Sequence, residues 1–224
     1  MAKEQPKRVC ILGTAETMGA APFEDDGLEI WAHAMCINRK PKELKRWDLM
    51  FEMHNRHKWI GRVDELNRGG KPVIMQRHFD EVPASEPYPL DEVLQTFPRY
   101  FTNSISQMVA LAIIRGYREI ALFGVHLATA SEYAYERPNL EYLLGHAEAR
   151  GISLWIPEEA QILRANYLYG YEEQTIGPHL LGILRDAEER VDDYGKQELA
   201  ARDAKQQSIG WRECARHLIN TASH

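Results

Sequence analysis

NSISQMVALAIIRGYREIALFGVH, residues 103–126, carries the reading on which the fold turns. Asn103 or Ser104 can cap a helix. Ile105, Met108, Val109, Ala112 and Ile113 then fall on one helical face, Gly116 stops the helix, and Glu119 to Val125 is a continuous apolar run of strand length. A helix feeding a buried strand is half of a βαβ unit. The pattern recurs downstream, where PNLEYLLGHAEARG has Pro138 at a helix start and Gly151 at its end, followed by the strand SLWIP.

Upstream, Arg8 to Gly13, RVCILG, reads as another buried strand that ends on glycine. EIWAHA (Glu29 to Ala34), WDLMFEMH (Trp47 to His54) and KPVIMQ (Lys71 to Gln76) read as further strands. Between the last two, Trp59, Ile60, Val63 and Leu66 have helical spacing and run into Gly69-Gly70, which predicts one helix. Arg77 to Phe101 is proline-rich and aperiodic, a long excursion with one helical turn near Asp91 to Thr96. This alternation predicts an α/β fold, Rossmann-like and doubly wound, with a mainly parallel sheet of five to seven strands. RVCILG and EIALFGV are expected near the sheet centre because both are continuously apolar.

The expected organisation is a nucleotide-binding domain over 1–170 and a helical C-terminal extension over 171–224. In that extension Leu180, Leu184, Ala187, Val191 and Tyr194 are spaced four, three, four, three, and Trp211, Cys214, Ala215 and Leu218 also have helical spacing. Gly195 and the polar run that follows interrupt the stripe, so two helices or one broken helix are expected. The extension either lies on its own domain or pairs with a second subunit as a homo-oligomer.

Composition narrows the function classes. The chain has 224 residues, 44% of them hydrophobic and 27% charged, the balance of a folded globular protein with a core. A net charge of -6 argues against wrapping duplex nucleic acid, though a local basic pocket can still hold a phosphate. Cys10, Cys36 and Cys214 form neither a disulfide framework nor a zinc knuckle and read as reduced packing residues. Met1 to Arg8 lacks an apolar signal core and no stretch is long and apolar enough to span a bilayer, so a cytoplasmic protein without a membrane partner is expected.

In a parallel sheet ligands bind beyond the strand carboxyl ends, where loops leave a crevice and helix N-termini present unpaired N–H groups. The strand ends place Gly13 to Thr17, Glu52 to Asn55, Gln76 to His78 and Gly124 to His126 there, with Asn103 and Ser104 facing them. GTAETMG is neither a dinucleotide fingerprint nor a P-loop, and it serves equally as a plain turn. His54-x-x-His57 has no third ligand nearby, so no metal site is read from it. His126 and His54 are the candidate acid/base groups, and a structural histidine is the alternative for each. Arg77 offers charge to a phosphate or sits in a solvated basic loop. Tyr133 offers a ring to a base or sugar, or packs on the next helix.

The segments Asn103-Ser104-Ile105, Arg115 to Ile120 and Gly124-Val125-His126 resemble, in order, elements of a Rossmann-like superfamily. That group includes archaeal 6-hydroxymethylpterin diphosphokinases, motility-accessory glycosyltransferase-like proteins and bacterial CMP-sialic-acid-dependent sialyltransferases. Gly13 to Thr17 is similar in place to its first glycine turn, and uncharacterised phage-encoded Rossmann-like proteins share the compact length. Ala15 and Ile105 stand where the group has glycines, and His126 where it has aspartate. The resemblance implies a transferase for glycosyl or pyrophosphoryl groups. Gly13, Thr14, Thr17, Asn103, Ser104, Gly124 and Tyr133 would hold a nucleotide or nucleotide-sugar, Arg77 would meet phosphate, and Mg²⁺ is left open as a helper ion. A non-catalytic binder that sequesters or senses a nucleotide-derived molecule is the alternative.

Overall fold

The structure is a computed structural model that describes residues 7–128, 132–165, 167–172 and 176–222. The chain divides into two compact units, Met1–Ala165 and Asn166–His224. The first holds a seven-stranded, all-parallel sheet in the order β5-β4-β3-β2-β1-β6-β7. Its strands are β1 (Arg8–Leu12), β2 (Glu29–His33), β3 (Leu49–Glu52), β4 (Val73–Met75), β5 (Ser85–Pro87), β6 (Glu119–Phe123) and β7 (Ser153–Trp155). The short helices are α1 (Met35–Arg39), α2 (Arg56–Trp59), α3 (Val63–Leu66) and α4 (Leu90–Thr96), and the longer ones α5 (Ser104–Ile114) and α6 (Arg137–Ala149).

Each central strand is buried on both faces, which is why it reads as an unbroken apolar run. Val9 and Ile11 of β1 join the core under α5 and α6, whereas Cys10 and Leu12 join the opposite cluster with Met18, Phe23 and Leu28. In β6, Ile120 and Leu122 divide from Ala121 and Phe123 in the same way. α5 packs against β1, β2 and β3 on one side and against α4 and α6 on the others, so Ala110 and Leu111 are buried as fully as Met108 and Val109. Asn103 caps this helix: its side-chain oxygen accepts from the Ser106 amide at 2.8 Å.

Several expectations are corrected. β1 lies beside the middle strand β2 as expected, but β6 lies next to the β7 edge, because continuous apolarity reports burial on two faces rather than rank in the sheet. The single helix expected over Trp59 to Leu66 is broken into α2, a 3₁₀ turn (Ile60–Arg62) and α3, with Trp59 and Leu66 buried and Gly69 at φ 78° beyond them. The excursion after Arg77 contains an edge strand, β5. Its three residues include Pro87, which an edge tolerates and a sequence window cannot distinguish from a turn.

In the second unit, α7 (Ile176–Ala222) is one helix of 47 residues, not two or a broken one. Gly195 costs an exposed helix interior only about 1 kcal/mol, too little to stop it. Leu184, Val191, Tyr194, Leu199 and Trp211 are exposed on it, and the Leu180 side chain lies outside the described residues. Cys214, also on α7, is exposed, unlike Cys10 and Cys36, whose thiols are buried and pushed up to about 12. Among the described residues no helix is long and apolar enough to cross a membrane.

Candidate functional site

The chain builds outward from β1 through β2, β3 and β4 to β5, then returns to pair β6 on the other side of β1. Connections leave β1 and β6 toward opposite halves of the sheet. The crevice between their carboxyl ends is therefore the switch point where doubly wound sheets hold ligands. Gly13 and Gly124 meet there. A Cβ on Gly13 would stand 2.3 Å from the Gly124 carbonyl oxygen, and one on Gly124, at φ 69°, would stand 2.4 Å from that of Gly13. The amides of Gly13 and Ala15 are donated to Phe123 O and Gly124 O at 2.9 and 2.8 Å. Both glycines thus serve contact between two turns, and two of the turn's amides are already used.

Thr17 and His126 flank this crossing. The Thr17 hydroxyl accepts from the Gly124 amide at 2.8 Å and lies 3.2 Å from His126 Nε2. Burial lowers the pKa of His126, and the charges of Glu16 and Glu159 oppose that shift. Beside it opens a cavity of about 400 Å³ lined by Glu16, Thr17, Ala20, Phe123, Trp155, Pro157 and Glu159. Two carboxylates make this cavity a poor seat for a phosphate.

A second group forms where β2 and β3 end. Glu52 has no exposed side-chain surface, and both of its carboxylate oxygens are engaged. Oε1 accepts from the His54 amide at 3.0 Å and lies 2.6 Å from His54 Nδ1, while Oε2 accepts from Arg62 Nη2 at 3.1 Å. The Arg62 guanidinium has only donors to offer, so Glu52 is held as the acceptor and His54 Nδ1 as the donor. Nε2 of His54 then carries the lone pair, on a side chain 46% exposed. This is the geometry of an oriented general base.

His33, from the end of β2, meets His54 edge to face with ring centroids 5.7 Å apart. Its Nδ1 accepts from the Met35 amide at 3.2 Å, which leaves the proton on Nε2. Burial pushes its pKa down to about 4, against the pull of Glu52 and with the push of His54, Arg62 and Arg39. Glu136 approaches from the π-helix Glu132–Glu136: burial raises its pKa first, Glu132 adds to this, and His54 opposes it. The Asn103 side-chain amide donates to Glu136 O at 3.2 Å, tying this segment to the start of α5.

The expected site residues therefore sort into places. Gly13, Thr14, Thr17, Gly124 and His126 gather around the β1/β6 ends, and His54, Asn103 and Ser104 gather around the β2/β3 ends and the α5 N-terminus. Arg77, beyond β4, stacks over the Phe79 ring at 5.0 Å. The Tyr133 backbone lies in the π-helix, and its side chain is outside the described residues. His146 sits in the last turn of α6, bonded to Tyr142 and Arg150, at the strand N-terminal end of the unit. Sequence reading missed Glu52 as a partner, and His33, Arg62 and Glu136 altogether. The legible signal was a charge closing the apolar run LMFE. Among the described residues no cluster of three histidine, cysteine or acidic side chains is arranged to hold a metal ion.

No protein-family model matches the chain, and no curated protein matches it. Among solved structures, the sialyltransferase CST-II in complex with trisaccharide acceptor and CMP is similar at 14% identity over 72% of this chain and 89% of that one, with a TM-score of 0.47. The α-2,3-sialyltransferase from Campylobacter jejuni in apo form is similar at 12% identity, covering 84% of this chain and 97% of that one, with a TM-score of 0.47. The sialyltransferase CstII from Campylobacter jejuni in complex with cytidine-5'-monophosphate matches at 16% identity, 67% and 79% coverage, and a TM-score of 0.45. At this level of identity no residue role passes from those proteins to this chain.

Proposed function

We propose that this chain is a transferase that binds a nucleotide or nucleotide-sugar and moves a glycosyl or pyrophosphoryl group to a small acceptor. The observation that carries the reading is His54, oriented by a wholly buried Glu52 at a strand carboxyl end and within electrostatic reach of Glu136, whose carbonyl is held by Asn103 at the start of α5. Burying a carboxylate costs several kcal/mol unless its partners compensate. Here Arg62 holds one oxygen, and the His54 amide and ring hold the other.

In this reading the phosphate of the ligand lies toward the N-terminus of α5, with the Ser104 hydroxyl and the first-turn amides as donors. It does not lie in the carboxylate-lined cavity beside Thr17. His54 moves the proton at the acceptor, and the ligand body extends toward Gly13 and Thr14. A single observation favours the alternative of a non-catalytic binder: the amides of Gly13 and Ala15 are already committed to Phe123 and Gly124, which thins the donor set for a transition-state phosphate.

The test is a thermal-shift screen against nucleoside mono-, di- and triphosphates and nucleotide-sugars, with and without Mg²⁺, followed by nucleotide release from any sugar donor that binds. A ligand at about 100 times its Kd stabilises by about 2.7 kcal/mol. A flat response from folded protein would overturn the nucleotide reading, and binding without release would select the non-catalytic alternative.

A further inference from the structure

Two imidazoles at the ends of adjacent strands are set in opposite tautomers by their protein partners. His54 donates a hydrogen bond from Nδ1–H to Glu52, and His33 uses Nδ1 to accept from the Met35 amide. His54 Nε2 is then a lone pair and His33 Nε2 an N–H. Among the described residues the His33 Nε2 makes no hydrogen bond, and it is not one of the two buried side-chain atoms without a partner, which are Glu65 Oε2 and Ser106 Oγ. The His33 ring is half-buried, with Nε2 left without a protein partner beside the exposed His54 ring.

We infer that His33 and His54 form a hydroxyl-activating pair: His54 Nε2 takes the proton of an acceptor alcohol while His33 Nε2–H donates a hydrogen bond to the same oxygen. This rests on the transferase reading above and names its acceptor class. An alcohol oxygen donates one bond and accepts another, which matches one lone pair and one N–H. An ammonium group offers donors only and would leave His33 facing a cation.

In the step, the acceptor O–H bond breaks and its proton passes to His54 Nε2. The oxygen's electron pair forms the new bond to the electrophilic centre of the donor. The bond from that centre to the departing phosphate oxygen breaks, and its electron pair leaves on the phosphate. Glu52, a positioning residue, stabilises the imidazolium formed on His54, which then releases its proton to water. The charged groups around the pair are Glu52 and Arg62 beside both rings, Arg39 near His33 and Glu136 near His54.

The pair is tested in the full chain labelled with ¹⁵N-histidine, its ring signals assigned by the variants His33→Asn and His54→Asn. At pH 7.5 the expected result is a His33 ring that carries its proton on Nε2 with a bare Nδ1, and a His54 ring that carries its proton on Nδ1 with a bare Nε2. The reverse tautomer on either ring overturns the pair. The same variants are assayed for release of CMP or UDP from CMP- and UDP-sugars in the presence of short oligosaccharides. His54→Asn is expected to slow turnover at least about 100-fold, and His33→Asn about 10-fold, through kcat rather than KM. Turnover that survives both substitutions overturns the pair and leaves the transferase standing. A native chain that binds nucleotide and turns over no donor overturns the transferase and the hydroxyl activation together.

Discussion

Oε1 of Glu52 lies 2.6 Å from Nδ1 of His54, and the Glu52 side chain has no surface in water. A buried carboxylate is tolerable only while its acceptor sites are filled, here by Arg62, the His54 amide and the His54 ring. Glu52→Gln keeps the volume and removes the charge. The expected cost is about 2 kcal/mol, because Arg62 loses its counter-charge but keeps some access to solvent. Urea unfolding of native and variant protein measures it. An unchanged midpoint would show that the fold does not depend on the ionised carboxylate.

Gly13→Ala and Gly124→Ala each place a methyl group 2.3 or 2.4 Å from a carbonyl oxygen of the other turn, a steric overlap well inside contact distance. Neither turn is free to move without breaking the Gly13 N to Phe123 O bond that continues the β1/β6 ladder. Each substitution is expected to cost about 3 kcal/mol, with Gly124→Ala the worse because its φ is 69°. Denaturant midpoints decide it, and a loss under about 1 kcal/mol in both variants would contradict the crossing as described.

His33 makes stability depend on pH. Its folded pKa is lowered from 6.5 to about 4, so between those values the unfolded chain binds more protons than the folded one. Stability from this group is therefore complete above about pH 6.5 and falls as the solution is acidified toward pH 4. The shift corresponds to roughly 3 kcal/mol at the lower end. In His33→Gln the total change of unfolding free energy across this window should shrink by that amount, so the slope against pH flattens. An identical slope in native and variant protein would show that His33 titrates normally.

Asn103→Ala removes the cap of α5 and the bond from its side chain to Glu136 O. The expected loss is about 1 kcal/mol for the cap, and faster amide exchange at Ser106 and in the π-helix above it. Exchange unchanged beyond α5 would mean that the Glu136 contact carries no coupling.

Tyr194 and Trp211 are 68% and 78% exposed on α7. Burying an aromatic or leucine-sized side chain contributes roughly 1.5–3 kcal/mol, which favours pairing of this helix with a second copy. Light scattering of the full chain should give at least a dimer, and of a truncation after Gly177 a monomer. A monomeric full chain at micromolar concentration would overturn the pairing.

Strand and helix content was legible because hydrophobic period is a local property. Two-sided burial writes RVCIL and EIALF as continuous runs, and Asn103 declares its helix through a bond three residues away. The strand carboxyl ends, and with them His54, Ser104 and His126, followed from that alternation. The tertiary structure alone decided which of these residues meet. Glu52, His54 and His33 converge because β2 and β3 pair in parallel with His33 opposite Phe51, and Arg62 reaches Glu52 from the 3₁₀ turn at which the expected helix breaks. Gly13 meets Gly124 because Leu12 pairs Phe123 across β1 and β6. Periodicity says which side of a strand is buried; register between segments far apart in the chain sets which polar atoms share a site, and no local pattern encodes it.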